Sequence, residues 1–259
     1  MNSEHSFLWH DYETFGAHPQ LDRPVQFAAI RTNSDLEPIG EPINHYCQPA
    51  LDVFPHPVAC LITGITPQEA HKKGLTEAGF AAAIHAEMME PGTCSAGYNS
   101  IHFDDEFSRN LFYRNFYDPY AREWQNRNSR WDLIDLVRAT RALRPEGIEW
   151  PVREEGKPDF RLEKLTAANG LIHEAAHDAL SDVRATIDFA RLIKQKQEKL
   201  YHFVFNHRSK KSVSSLIKLG SMTPLLHVSG MYPSDKGCIA VVLPLCGHPT
   251  NNNGILVYD

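Results

Sequence analysis

The protein has 259 residues, enough for one domain of roughly 200 residues with an appendage, or for two smaller domains. Its hydrophobic content of 42% and charged content of 22% are ordinary for a globular protein. Without a long apolar run or a basic region followed by an apolar one, neither a membrane span nor a secretory signal is expected. The five cysteines form no Cys-x-x-Cys pair, which disfavours a cysteine-ligated zinc site and favours reduced thiols in the cytoplasm.

The first third of the sequence predicts three β-strands, because short apolar or alternating runs are separated by turns. The runs are SFLWHDYET (residues 6–14), VQFAAIRT (25–32) and IGEPINHYCQ (39–48). The short turns between them favour antiparallel pairing. Two helices are predicted next: Thr66 precedes Pro67 and Glu69 in a capping pattern, and Thr76 opens a second helix that ends near residue 90.

The middle of the sequence alternates a strand with helices. A fourth strand, TCSAGYN (93–99), is followed by a helix at 104–117, and WDLIDLVRATRAL (131–143) has helical spacing at Leu133, Leu136, Val137 and Leu143. FRLEKLTAANG (160–170) predicts a short helix, and residues 177–205 predict a long amphipathic helix or a helix pair. This order predicts an α/β fold with a mixed central sheet flanked by helices.

The character of the sequence changes after about residue 200. A basic helical segment, NHRSKKSVSSLIKLG (206–220), leads to three short β-like runs at the end of the sequence. We therefore predict a first domain over residues 1–200 and the start of a small β domain over 201–259.

The pattern Asp-x-Glu occurs at three places: Asp11/Glu13, Asp35/Glu37 and Asp104/Glu106. Only the first pair lies in a predicted strand, where a period of two places both carboxylates on one face. The second pair lies in a polar turn. The third lies at a helix start, where acids also have a structural role at the positive end of the helix dipole. The strand context therefore singles out the first pair.

A histidine and an aspartate stand five residues apart late in the sequence. Asp182 falls one turn into the long predicted helix, and His177 lies at its start. Five residues of helix turn through roughly 500°, so the two side chains converge only if His177 lies on the entry turn.

One band of the sequence is basic and aromatic although the net charge is −6. Residues 107–144 contain eight arginines against four acids, together with eight aromatic residues. A band of this kind can bind a polyanion in an otherwise acidic protein. Among its aromatic residues, Phe112, Phe116 and Trp131 are expected in the core.

Taken in order, Asp-x-Glu on the first strand, an aspartate after the fourth strand and the late His-x₄-Asp resemble the DEDD exonucleases of the histidine type. HDYETFG, LITGITPQEA, GYN..FDDE, RNFYDPYA, SRWDL and FRLEKLTAANG resemble bacterial exonuclease I over residues 7 to about 208. The resemblance implies an RNase H-like exonuclease fold followed by an SH3-like β-barrel segment. The family continues through a complete barrel and a helical domain that close over DNA. The barrel here is expected to be incomplete and the helical domain absent. Whether the protein encloses the DNA strand is therefore an open question.

The resemblance also implies an activity: Mg²⁺-dependent 3′→5′ hydrolysis of single-stranded DNA to 5′-mononucleotides, in DNA repair and recombination. Two Mg²⁺ ions, or Mn²⁺ in their place, would be bound by Asp11, Glu13, Asp104 and Asp182, with Asp11 bridging both. His177 would accept the proton of the attacking water. Asp105 and Glu106 are expected to be helix-start residues.

The resemblance further implies a set of contacts with the DNA strand. The implied residues are Glu13, Gly64, Arg109, Tyr120, Trp124, Arg138 and Arg161. Arg144 is the candidate contact for the acidic tail of single-strand DNA-binding protein. A monomer in the bacterial cytoplasm is expected.

Two alternatives stay open at this point. One is a ribonuclease or proofreading exonuclease on the same fold, since a fold does not determine its substrate. The other is a non-catalytic module that binds single-stranded DNA and uses the acids only structurally.

Overall fold

The structure, a computed structural model, describes residues 5–173 and 178–259. The chain forms two compact units. The first combines Met1–Leu133 with Gly170–Arg191, and the second combines Ile134–Asn169 with Leu192–Asp259.

Short strands and helices alternate along the described ranges. The strands there are β1 (Ser6–Thr14), β2 (Pro24–Thr32), β3 (Ile43–Tyr46), β4 (Thr93–Gly97), β5 (Ser129–Asp132), β6 (Leu225–Val228), β7 (Ile239–Gly247) and β8 (Ile255–Tyr258). The α-helices there are α1 (Pro57–Thr63), α2 (Pro67–Lys73), α3 (Glu77–Met89), α4 (Asp104–Arg114), α5 (Leu133–Leu143), α6 (Leu162–Ala168), α7 (Ala179–Lys196), α8 (Glu198–Asn206) and α9 (Lys210–Leu216).

A mixed sheet forms the centre of the first unit. Its order among the described residues is β3-β2-β1-β4-β5. The three N-terminal strands pair antiparallel, as the short turns predict, while β4 and β5 run parallel to β1. The strand that carries Asp11 and Glu13 is therefore the middle one, with neighbours on both edges.

The two faces of β1 bury different side chains, because successive residues of a strand point to opposite sides. On one face Leu8 and Tyr12 join a buried cluster with residues of α3 and α4, among them Phe80 and Phe112. On the other face the rings of Phe7 and Trp9 lie 5.3 Å apart, centroid to centroid. This packing fixes β1 as a rigid support for the two acids at its end.

The helix starts confirm the capping patterns. The Thr66 side chain accepts a hydrogen bond from the Glu69 amide at the start of α2, and Thr76 accepts one from the Gly79 amide at the start of α3. The late amphipathic stretch is a helix pair, α7 and α8, and the basic segment contains α9.

The local structure differs from the sequence-based expectations at three places. Strand β5 is not predicted: Trp131 and Asp132 belong to it, and the helix within 131–143 begins at Leu133. Helix α1 lies in a stretch for which no helix is predicted. Phe116 is not in the core: its side chain is 99% exposed, on a residue with φ of +64°, although Phe112 and Trp131 are buried as expected.

The second unit contains a smaller sheet. In the described ranges its order is β6-β7-β8, with both pairs antiparallel. The register shifts between Pro244 and Cys246 on β7, where proline cannot donate a ladder hydrogen bond. The three β-like runs at the end of the sequence therefore pair as one antiparallel sheet.

Candidate active site

Three carboxylates meet at the end of β1. The ligand oxygens of Asp11, Glu13 and Asp182 all lie within 4.8 Å of one another. Asp11 is partly buried and Glu13 is buried, at 7% exposure. Asp182 reaches the group from the first turn of α7. Strand β1 and helix α7 thus bring together acids that are 169 residues or more apart in the sequence.

Asp104 approaches the same strand from helix α4, of which it is the first residue. Its Oδ1 accepts a hydrogen bond from the backbone amide of Tyr12 at 3.0 Å. The loop before α4 is held by Asp132, which accepts hydrogen bonds from the amides of Asn99 and Ile101. Asp104 therefore lines the same cavity as the three clustered acids, with one oxygen fixed by the backbone of β1.

Asp182 has a histidine partner for which the sequence contains no recognisable pattern. The Nε2 atom of His173 lies 2.5 Å from Oδ1 of Asp182, and the His173 side chain is 7% exposed. The predicted base His177 lies outside the described residues. A lone histidine four positions before His177 carries no sequence signal of its own, so only the structure assigns this contact.

The start of α7 is anchored to strand β2. Nε2 of the buried Gln26 lies within 3.4 Å of Oδ1 of Asp178 and 3.0 Å of Oδ1 of Asn44. The second carboxylate oxygen of Asp178 accepts a hydrogen bond from the Ser181 amide and caps the helix. Gln26 pairs with Glu13 across the sheet, so this contact sets the start of α7 beside β1.

Burial and mutual repulsion dominate the electrostatics of the site. Burial, followed by the charges of Asp104 and Asp182, raises the pKa of Asp11 well above its ordinary value. Burial and then the charge of Asp182 raise the pKa of Glu13 to about 8. Burial likewise raises the pKa of Asp104. Hard divalent cations prefer carboxylate oxygens, and a bound cation would offset this repulsion. The cluster therefore fits a divalent metal ion.

A cavity of about 560 Å³ opens over these acids. Val58, Ile62 and Thr63 of α1 line the same cavity as the acids. Val58 and Ile62 are each 54% exposed, so this short helix turns apolar side chains outward beside the acids. Gly64 follows α1 with φ of +70°, a conformation that glycine adopts readily, and ends the helix there. The cavity thus joins a charged wall to an apolar one.

The arginines of the 107–144 band are mostly engaged with acids of the chain. In the described part of the molecule, five of the eight form ion pairs with carboxylates: Arg109, Arg114, Arg122, Arg130 and Arg138. Asp105 is more than a helix-start residue, since it is 1% exposed and pairs with two of these arginines. The local excess of positive charge is therefore largely neutralised inside the protein.

The exposed part of the band is aromatic. Tyr120 and Trp124 are 54% and 64% exposed. They flank a short 3₁₀ turn, Ala121–Glu123. The guanidinium carbon of Arg109 lies 5.0 Å from the centroid of the Tyr120 ring, within the range of a cation–π contact. Rings presented in this way can stack on nucleobases.

The remaining predicted contacts belong to the second unit. Arg161 binds the buried Asp159 through Nε, at 3.0 Å from both carboxylate oxygens, yet stays 54% exposed. Arg138 pairs with Asp135. A side-chain carbon on Gly230 would lie only 2.8 Å from the Arg138 guanidinium, so Gly230 packs directly against it. Arg144 lines a separate cavity of about 630 Å³.

The geometry agrees with comparisons to known proteins. The exonuclease family profile matches residues 8–190 of the chain. The chain belongs to the exonuclease family. A second profile, that of the exonuclease I SH3-like domain, matches residues 208–259. The exonuclease domain therefore contains the carboxylate cluster, and the three-stranded sheet falls in the SH3-like domain.

Individual relatives agree with both profiles. Exodeoxyribonuclease I of Escherichia coli K12 is 57% identical over 254 residues, which are 98% of this chain and 54% of that protein. The crystal structure of E. coli exonuclease I with a dA16 oligonucleotide has a TM-score of 0.97 at 57% identity and covers 99% of this chain and 55% of that one. A complex of exonuclease I with the C-terminal peptide of single-strand DNA-binding protein has a TM-score of 0.95 at 56% identity, with coverages of 99% and 56%. The chain spans about half the length of the relatives it matches.

Within residues 5–173 and 178–259, no helix has both the length and the apolar character needed to cross a membrane.

Proposed function

We propose that this chain is a 3′→5′ exodeoxyribonuclease that hydrolyses single-stranded DNA to 5′-mononucleotides. The observation that carries the proposal is the meeting of Asp11, Glu13 and Asp182 within 4.8 Å in an exonuclease domain. The name and the bound oligonucleotide of the E. coli relative support the choice of substrate. DNA repair and recombination are the processes in which we expect this reaction to act.

We propose Mg²⁺ as the metal, in two ions, with Mn²⁺ as a possible substitute. Asp11, Glu13, Asp104 and Asp182 would hold them. Bound divalent cations supply an activated water and neutralise charge on the departing oxygen. The elevated carboxyl pKa values support this ligand set, because four acids so placed need a compensating positive charge.

The side chains around the acids would hold them in place and move the proton. The Tyr12 amide fixes one oxygen of Asp104, and His173 fixes one oxygen of Asp182. We propose that His177 accepts the proton of the attacking water, because histidine is the side chain most often used as a general base. The apolar side chains beside Gly64, on α1, would pack against the terminal nucleotide and exclude water from it.

We propose that the DNA strand is held by stacking and by phosphate contacts. Tyr120 and Trp124 would stack on bases, and Arg109 would support the Tyr120 ring rather than bind a phosphate alone. Arg138 and Arg161 remain candidates for phosphate contacts, with Arg161 supported by its exposure.

A protein partner is also proposed: the acidic C-terminal tail of single-strand DNA-binding protein. The solved complex of exonuclease I with that peptide supports it. The cavity of the second unit that contains Arg144 also contains Lys196, Lys199 and apolar side chains of Leu200, Phe203 and Leu226. Cations beside apolar side chains suit an acidic peptide with an apolar end.

Labelled oligonucleotides test the proposed reaction. The 259-residue chain is incubated with 5′-labelled or 3′-labelled single-stranded DNA, with duplex DNA and with RNA, in Mg²⁺ or EDTA. We expect 5′-labelled DNA to shorten stepwise and 3′-labelled DNA to release a labelled mononucleotide at once, only with metal. The Asp11→Ala variant should bind DNA without releasing nucleotides.

Each rival function has its own outcome. Binding of single-stranded DNA without metal-dependent release would leave only a binding module. Equal release from RNA would favour a ribonuclease, and release of label from the 5′ end first would overturn the polarity.

We propose that the exonuclease domain occupies residues 1–200 and the SH3-like β domain residues 201–259. We also propose a cytoplasmic location, which the absence of a disulfide among the five cysteines, all within the described ranges, supports.

A further inference from the structure

A network of ion pairs lies beneath the surface of the first unit. At its centre is Asp105, 1% exposed, whose two carboxylate oxygens lie 2.5 Å from Nη2 of Arg122 and 2.8 Å from Nη1 of Arg130. The Arg122 side chain is also only 1% exposed. Three elements meet there: helix α4, the turn Ala121–Glu123 and strand β5.

The network continues from the buried pair to the surface through Glu123. Nε of Arg130 lies 3.3 Å from one oxygen of Glu123, and Nη2 of Arg109 lies 2.8 Å from the other. Arg109 in turn faces the Tyr120 ring, 5.0 Å from its centroid. Glu123 is 13% exposed and receives both arginines.

The two ends of the network are functionally different. At one end Asp105 follows Asp104 in the first turn of α4, beside the carboxylate cluster. At the other end Arg122 and Glu123 lie between the two exposed rings, Tyr120 and Trp124. The network therefore connects the proposed metal site to the proposed stacking surface within one unit.

The exposed rings need such a connection. Both residues are more than half exposed, so core packing alone does not fix Tyr120 or Trp124. The backbone that follows Trp124 is irregular, since Asn126 and Arg127 both have positive φ. Breaking a buried pair on one side leaves an uncompensated charge, so the paired groups keep their positions together.

We propose that Glu123 and Asp105 are positioning residues, which hold the Tyr120–Trp124 pair at a fixed place relative to the carboxylate cluster. A DNA strand stacked on these rings would then present its terminal phosphodiester to the cluster. This inference rests on the proposed function, and it concerns the strand as substrate rather than the hydrolytic step.

The test compares two substrates of different reach. Single-stranded DNA contacts both the rings and the acids, whereas the p-nitrophenyl ester of thymidine 5′-phosphate reaches only the acids. Glu123→Gln should raise KM for DNA by about tenfold, the size expected for a weakened stacking contact. It should leave kcat/KM for the small ester within about twofold, because the carboxylate cluster is intact.

A matched control and a double substitution separate positioning from stability. Glu90→Gln weakens the ion pair with Arg31, which lies outside the network. It should change neither KM for DNA nor kcat/KM for the small ester. In a chain with Tyr120→Ala and Trp124→Ala, adding Glu123→Gln should have little further effect on KM for DNA. For Glu123→Gln, full additivity with the ring substitutions, or equal losses on both substrates, would overturn the inference. Asp105→Asn should lower activity on both substrates, because Asp105 follows Asp104 in the first turn of α4. Normal ester hydrolysis by the Asp105→Asn variant would show that Asp105 does not position Asp104.

Binding measurements keep the inference separate from the proposed reaction. Fluorescence anisotropy of a labelled oligonucleotide, in an Asp11→Asn background, gives the DNA affinity without hydrolysis. If the unaltered protein hydrolyses neither substrate, the proposed reaction fails, yet Glu123→Gln must still weaken DNA binding relative to Glu90→Gln. If the unaltered protein is active and the two variants bind DNA equally, the positioning inference fails alone.

Discussion

Oδ1 of Asp104 accepts a hydrogen bond from the backbone amide of Tyr12 over 3.0 Å. Tyr12 lies between Asp11 and Glu13, so the bond ties the first residue of α4 directly between two acids of β1. The side chain of Tyr12 points to the other face and its hydroxyl accepts a hydrogen bond from Ser108 of the same helix. Helix α4 and strand β1 are thus joined by two hydrogen bonds through Tyr12, which makes the position of Asp104 a property of the fold.

Two substitutions of Asp104 separate its charge from its hydrogen bond. Asp104→Asn keeps an acceptor for the Tyr12 amide and removes a charge whose burial is costly, so the free energy of unfolding of the metal-free protein should rise at pH 8. Asp104→Ala leaves a buried amide unpaired and should lower the free energy of unfolding by about 1–3 kcal/mol. Urea unfolding in EDTA measures both. Equal stability of the two variants would contradict the role of the hydrogen bond.

The stability of the metal-free protein should fall as pH rises through neutrality. Burial and the charge of Asp182 raise the pKa of Glu13 to about 8, so the folded state keeps a proton that the unfolded state loses near pH 4.5. Burial lowers the pKa of His10 to about 4, which makes stability rise with pH only up to about 6.5. The interval from pH 6.5 to 8 therefore isolates the acids, with a slope of at most about 1.4 kcal/mol per pH unit for each proton.

Thermal unfolding between pH 6.5 and 8 measures this dependence. In EDTA the melting temperature should decline, and Mg²⁺ should restore it most at the higher pH, because the ionised acids bind the cation. Glu13→Gln should flatten the decline. A melting temperature in EDTA that rises over this interval would show that the acids do not repel one another as described.

Much of the fold follows from local patterns. The apolar start of β1 and the caps at Thr66 and Thr76 predict their elements, because each signal lies within a few residues of the structure it specifies. The antiparallel order of the first three strands follows from their short turns. The order of the motifs, rather than any single spacing, predicts the four acids, and all four line one cavity.

The remaining features depend on contacts that sequence patterns do not contain. Strand β5 is four residues long and runs directly into α5, so the helical period hides it. Phe116 has a core-type side chain, but its positive φ turns it outward. From the sequence, Arg122 is one more cation of a basic band. In the structure it pairs with Asp105, which lies seventeen residues earlier. Pairing of this kind is decided by tertiary structure, and composition alone overstated the exposed charge.

His173 should be needed for metal binding. Its Nε2 lies 2.5 Å from Oδ1 of Asp182, and a side chain that orients a metal-ligating carboxylate typically contributes about 10- to 100-fold to affinity. His173→Phe should therefore weaken Mn²⁺ binding by about that factor, measured by isothermal titration calorimetry. His202→Phe, on a half-exposed histidine of the second unit, is the control. Unchanged Mn²⁺ affinity in His173→Phe would exclude the orienting role.

Salt dependence should distinguish the stacking residues from the phosphate contacts. Stacking involves no counterion release, so Trp124→Ala should weaken binding of single-stranded DNA by about 1–3 kcal/mol at every salt concentration. Loss of a phosphate contact in Arg161→Gln should reduce the slope of log affinity against log salt by about 0.7. Tyr258→Ala, which removes a ring that is 70% exposed in the second unit, is the control for a general loss of aromatic surface.

Because five of the eight arginines in the band are paired within the chain, the slope of the unaltered protein should be well below that for eight free cations. Suppose that the slope of log affinity against log salt is steep and that Trp124→Ala reduces it. The band would then bind DNA by charge, and its ion pairs would open when the strand binds.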